Sequence, residues 1–110
     1  MDNLRVVFVT VPMDIADKMA KAIVENRLAA CTSVISTVKS YYYWEGQLKS
    51  DHESLLILKT TMSKIDDLIS FIKSEHPYDI PEIIAMPVAE GLPDYVNWVI
   101  EETGKTAETV

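Results

Sequence analysis

Two long extended stretches joined by a tight turn decide what this chain can fold into. Val34–Trp44 and Leu48–Thr60 flank Glu45-Gly46-Gln47, a hairpin signature between runs rich in aliphatic, β-branched and aromatic residues. At about 3.3 Å per residue each strand would run roughly 35–40 Å. A typical strand is about 17–20 Å long, and a compact domain of about 100 residues has a radius of gyration near 13 Å. The ribbon must therefore overhang its own core or bend at a bulge. Its tip is aromatic, Tyr41-Tyr42-Tyr43-Trp44. Isolated two-stranded ribbons are marginal in water, and an unpaired aromatic one is an aggregation hazard. Cover by further copies of the chain resolves both problems, so a cyclic homo-oligomer built by strand pairing between subunits is expected. The competing arrangement is a bent hairpin packed on its own domain.

The remaining elements follow from periodicity. Leu4–Thr10 is a buried strand ended by Pro12, and Asp14 is placed to cap a helix with the stripe Ile15, Met19, Ala22 and Ile23. Ser63, with Asp66, resembles a capping box ahead of a second helix with the stripe Ile65, Leu68, Ile69 and Ile72. The two prolines of His76-Pro77-Tyr78-Asp79-Ile80-Pro81 dictate a loop, Glu82–Val88 reads as a fourth strand, and Gly91 and Pro93 open a third helix stopping near Gly104. Shifting the chain by 50 residues lays Val6-Val7-Phe8 on Leu56-Ile57-Leu58 and Ile15 on Ile65, a faint internal repeat. Two β-α-β halves joined by a hairpin give an α+β, ferredoxin-like β-α-β-β-α-β sandwich with an added C-terminal helix. The expectation is one domain over residues 1–110, with 105–110 a frayed tail.

Composition narrows the function. Ten Lys plus Arg stand against 17 Asp plus Glu, a net charge of −7, which opposes binding to nucleic acid or to anionic membrane surfaces. No apolar run approaches the ~20 residues of a membrane span, and the N-terminus lacks the pattern of a signal peptide. The single cysteine, Cys31, excludes an internal disulfide and any zinc site built from four cysteines or from two cysteines and two histidines. Three isolated glycines cannot form a dinucleotide or Walker loop.

His76 is the leading candidate for chemistry: it sits in a loop after a helix, with Glu75, Asp79 and Glu82 nearby as oxygen donors for a divalent metal. The bland alternative is a histidine that only caps the helix end. His52, between Asp51 and Glu53, reads as a solvated strand residue, and Cys31 as packing. Lys59 and Arg27 are each placed to face an anionic ligand or to stand as plain exposed charges. No constellation of acid, base and nucleophile is evident, so the chain reads as a non-enzyme.

Five blocks occur in order: Leu28-Ala29-Ala30-Cys31, Tyr42-Tyr43-Trp44-Glu45-Gly46, Leu58-Lys59-Thr60, His76-Pro77-Tyr78-Asp79-Ile80-Pro81-Glu82-Ile83 and Tyr95-Val96-Asn97-Trp98. Together they resemble the CutA divalent-cation tolerance family over about residues 4–102. The resemblance implies a homotrimer, a cytoplasmic location in prokaryotes, and tolerance of or response to copper and other divalent cations. In bacterial relatives a cysteine near the end of the first strand and a His-His pair before Pro-Tyr are the ligands considered for copper. Those positions here are Val9, Glu75 and His76. His76 with Glu75 would therefore suit a weak contact to Cu2+ or Zn2+, not needed for folding. Two alternatives stand beside this: a trimeric sensor like the PII signalling proteins, binding a small ligand at subunit clefts, and a structural trimer that scaffolds another protein.

Overall fold

A computed structural model describes residues 3–106. The part of the expected tail beyond Thr106 lies outside the described residues. The strands are β1 (Leu4–Val11), β2 (Cys31–Trp44), β3 (Gln47–Thr61) and β4 (Ile83–Pro87), and the helices α1 (Ala16–Glu25), α2 (Ile65–Glu75) and α3 (Pro93–Gly104). Short 3-10 turns, Met13–Ile15 and Met62–Lys64, precede α1 and α2. The four strands form an antiparallel sheet in the order β2-β3-β1-β4, the order that two interleaved β-α-β units produce.

Strand alternation gives the sheet two unlike faces. Val7, Val9 and Val11 of β1 stand opposite Leu58, Leu56 and Ser54 of β3. They pack with Met19 and Ile23 of α1 and with Leu68 and Ile72 of α2 in one buried core. Each fully buried aliphatic side chain contributes about 1.5–3 kcal/mol of transfer free energy. The intervening residues point the other way, and register aligns Val6 and Phe8 with Lys59 and Ile57 on one side and with Met86 and Ile84 on the other. Among the described residues this second face is covered only at one end, where Val96 and Val99 of α3 pack on Leu4 and Ala30. Ile35, Ile84 and Met86 stay exposed on it.

The ribbon both bends and overhangs. β2 carries one extra residue between Ile35 and Val38, a bulge whose Ser36 carbonyl accepts a 2.7 Å hydrogen bond from Ser54 Oγ. Beyond it, pairing continues to Trp44 opposite Gln47, and every residue from Tyr41 to His52 is exposed. The turn is two residues long, Glu45 (φ 52°) and Gly46 (φ 78°). Positive φ at both positions is what a type I′ turn requires, and its twist matches that of the strands. The Cα radius of gyration of 14.7 Å and longest extent of 45 Å exceed those of a compact chain of this length.

Three sequence expectations are corrected. Asp14 does not cap α1, and Ser63 with Asp66 forms no capping box. Each of Asp14 and Ser63 is the middle residue of a 3-10 turn, and neither α-helix has a side-chain cap hydrogen bond. The tighter turn moves each α-helical start one residue onward, to Ala16 and Ile65. The internal repeat has an offset of 49 rather than 50: Met13–Ile15 corresponds to Met62–Lys64 and Ala16 to Ile65. That offset lays buried Val7 and Val9 on buried Leu56 and Leu58, and Met19 and Ile23 on Leu68 and Ile72. In a strand, one residue of slip exchanges the two faces, so the shift of 50 mismatches them throughout.

Candidate functional site

Pro77 sets the geometry at the end of α2. A residue before proline is pushed out of the helical region, and His76 takes extended backbone angles (φ −86°, ψ 133°). The ring turns back over the end of β1 and is 8 % exposed. His76 Nε2 lies 2.8 Å from the Thr10 carbonyl, and Nδ1 lies 3.1 Å from the Tyr78 backbone N–H. A carbonyl only accepts and an N–H only donates, so the ring carries its proton on Nε2 and both nitrogens are engaged. The Tyr78 ring packs 4.7 Å away, tilted by 54°.

Further ties hold the same loop. Lys73 Nζ donates to the Asp79 carbonyl at 3.0 Å. The Tyr78 hydroxyl is pushed above its ordinary pKa, first by burial, then by the charges of Glu53 and Asp51 and by its hydrogen bond to Glu53. Glu53 itself is buried. One step along the ribbon, Tyr42 donates to Asp51, a bond that is the main reason its hydroxyl is pushed up to about 12. Thr10, Glu53 and Tyr78 are the partners that sequence reasoning missed. Glu53 carried a usable signal, because it shares the strand parity of Leu55 and Ile57 and therefore falls on an apolar sheet side.

His76 and Glu75 are not converged on one point. Glu75 is exposed and lines a groove of about 260 Å3 between α1 and α2 with Ile15, Lys18, Met19, Ala22 and Phe71, which His76 does not line. Asp79 is exposed and Glu82 is exposed. Among the described residues no three His, Cys, Asp or Glu side chains gather into a group able to hold a metal ion. The residues thus do not make a preassembled coordination shell, and a cation would reach Nδ1 only by displacing the Tyr78 N–H.

The other candidates separate as well. His52 is exposed on the ribbon opposite Lys39. Arg27 does not await an anionic ligand: it lies 3.1 Å from Glu102 Oε1, an ion pair that ties the α1–β2 connection to α3. Lys105 joins the same carboxylate. Cys31 is a half-buried free thiol, 4.0 Å from Ser33 Oγ, which accepts a 3.0 Å hydrogen bond from Lys59 Nζ. These three side chains share the open sheet face.

Comparison with known proteins places this architecture. The structure of a divalent cation tolerance protein from Thermus thermophilus superposes with a TM-score of 0.89 at 44 % identity, covering 92 % of this chain and 99 % of that one. A CutA1 from Oryza sativa superposes with a TM-score of 0.88 at 39 % identity, covering 91 % and 93 %. In sequence, the Thermus thermophilus protein named divalent-cation tolerance protein CutA is 45 % identical over 100 residues, 90 % of this chain and 97 % of that one. The mouse protein CutA is 43 % identical over 97 residues, which are 87 % of this chain but 55 % of the mouse protein. This chain thus spans about half the length of that animal relative. Relatives include one named chloroplastic, from Arabidopsis thaliana, and one described as periplasmic, from Archaeoglobus fulgidus. No helix among the described residues is long and apolar enough to cross a membrane. The family profile described as CutA1 divalent ion tolerance protein matches residues 5–102, and with that match over nearly the whole chain this protein belongs to the CutA family.

Proposed function

We propose that this chain is a non-enzymatic homotrimer of divalent-cation tolerance and response, acting in the cytoplasm, with copper the first cation to test. The observation that carries the assembly is the second sheet face. Ile35, Ile84 and Met86 are exposed there, and the ribbon beside it exposes Tyr41, Tyr43, Trp44 and Leu48. A contiguous apolar surface of this kind marks an interface. The cytoplasm suits a chain with one free thiol and no disulfide framework. The tolerance role follows the names its relatives carry.

Cation contact in this reading is weak. A Cu2+ or Zn2+ ion at His76 Nδ1 has to replace the Tyr78 N–H bond, which contributes about 0.5–1.5 kcal/mol, and gains Glu75 as a second ligand only when that carboxylate leaves the groove it lines with α1. The net charge of −7 adds non-specific attraction that salt screens. Light scattering should give the mass of a trimer at micromolar concentration; a folded monomer rejects the assembly. Calorimetric titration of Cu2+ at raised salt should show weak binding by wild type that His76→Ala loses. Equal binding by both rejects His76 as a ligand, and no binding by wild type rejects direct cation contact.

A second reading, a trimeric sensor of a small ligand at subunit clefts, is favoured by one observation: Lys59 has no acidic partner among the described residues.

A further inference from the structure

Lys59 lies on the open sheet face beside its α3-covered end, directly opposite Val6 on one neighbouring strand and Cys31 on the other. Its ammonium donates once, to Ser33 Oγ at 3.0 Å, and among the described residues it forms no ion pair. Two of its three N–H groups remain available. Around it the balance of hydrogen-bonding groups is one-sided. Tyr95 precedes Val96, which packs with Ala30, and the Ala30 N–H donates to the Lys59 carbonyl at 2.9 Å; the Tyr95 hydroxyl forms no hydrogen bond with the described residues. The sulfur of Cys31, 4.0 Å from Ser33 Oγ, is a poor acceptor. Glu53, farther along the same strand side, is engaged by Tyr78. The neighbouring side chains Val6, Phe8, Ile57, Ile84 and Met86 bring no charge.

An exposed ammonium tolerates such surroundings because water solvates it. The covered face of a trimer does not offer that water, and a buried cation without a counter-charge is strongly disfavoured. Donors in excess, a fixed positive charge and an apolar surround are what a small anion with several acceptor oxygens needs. We propose that Lys59, Ser33 and Tyr95 form a site for a small oxyanion, a carboxylate or a phosphate, closed by the neighbouring copy. The proposal rests on the trimeric reading above and deepens the small-ligand alternative.

Thermal unfolding tests it. Wild type and Lys59→Met are melted in graded inorganic phosphate and in graded acetate, at fixed pH and with ionic strength held constant by chloride. Ligand that binds only the folded state raises Tm with the logarithm of its concentration. Wild type should show that rise, larger for whichever of the two probes matches the class, and Lys59→Met should lose it. General stabilisation by phosphate acts on both proteins alike, so an equal rise in the two overturns the site. No rise in wild type also overturns it. If Lys59→Met does not fold, Ser33→Ala decides: an undiminished rise rejects the site. Light scattering on the same samples separates the two claims. A monomer overturns the trimer, whereas a trimer without the rise overturns the oxyanion site alone.

Discussion

Replacing His76 with alanine separates a structural tie from a ring held ready for a ligand. The substitution removes the bond to the Thr10 carbonyl and the bond from the Tyr78 N–H. Each is worth about 0.5–1.5 kcal/mol, more where the abandoned partner stays out of water. It also removes the tilted ring contact with Tyr78, worth about 0.5–1.5 kcal/mol beyond its area. Together these come to about 2–4 kcal/mol, a large share of the ~5–15 kcal/mol that stabilises a typical domain. Guanidinium unfolding at fixed chain concentration is the assay, because an oligomer's apparent stability depends on concentration. The midpoint should fall with little change in slope, since the loss is local. His76→Gln keeps an amide donor for Thr10 and should recover about 1 kcal/mol of the loss. An alanine variant within about 0.5 kcal/mol of wild type, the range of ordinary surface substitutions, would refute the tie. It would mean that Nδ1 is free in solution and that cation contact at His76 need not be weak.

Three further outcomes follow from the geometry. Tyrosinate absorbance should reveal one phenol titrating near 12, Tyr42, held neutral chiefly by its hydrogen bond to Asp51. Its raised value stabilises the fold below the unfolded value of 10 and ceases to do so as pH rises through about 12, and Asp51→Asn should bring the titration back toward 10. Glu102 is held below its ordinary 4.5, first by the hydrogen bond from Lys105 and, against some burial, by Arg27. Its contribution is therefore present above about pH 4.5 and lost as pH falls through the lower folded value. An NMR carboxyl titration with a midpoint at or above 4.5 contradicts this. Gly46→Ala should destabilise by about 1–2 kcal/mol through backbone conformation alone, because a Cβ there meets no atom within 4 Å while φ is +78°. Unfolding of that variant unchanged from wild type would mean the turn is not type I′.

How much of this was legible in the sequence depends on the range of the interaction. The apolar, β-branched run Leu4–Thr10 and the helical spacing of Met19 and Ile23 are local signals, and both fall where the core forms. The same local reading misjudged Asp14 and Ser63, because a 3-10 turn and a first helical turn have nearly the same sequence and differ only in which carbonyl each N–H reaches. The role of His76 was beyond it, since the Thr10 carbonyl that holds the ring is 66 residues away. Proximity to Glu75 in sequence carried no information about direction: Glu75 lines the groove on α1 while His76 faces β1.

The strongest inference, however, needs only the period of a strand. Val7 and Val9 can be buried under α1 and α2 only if Val6 and Phe8 face the opposite way, and β3 repeats the constraint with Leu56 and Leu58 against Leu55 and Ile57. Among the described residues one helix, α3, serves that opposite side, and its buried Val96 and Val99 pack with Leu4, Ala30 and Val88 at one end. A sheet written with apolar residues at both parities is built for two covers. The described residues supply one and a fraction, and in the homotrimer proposed above another copy supplies the remainder.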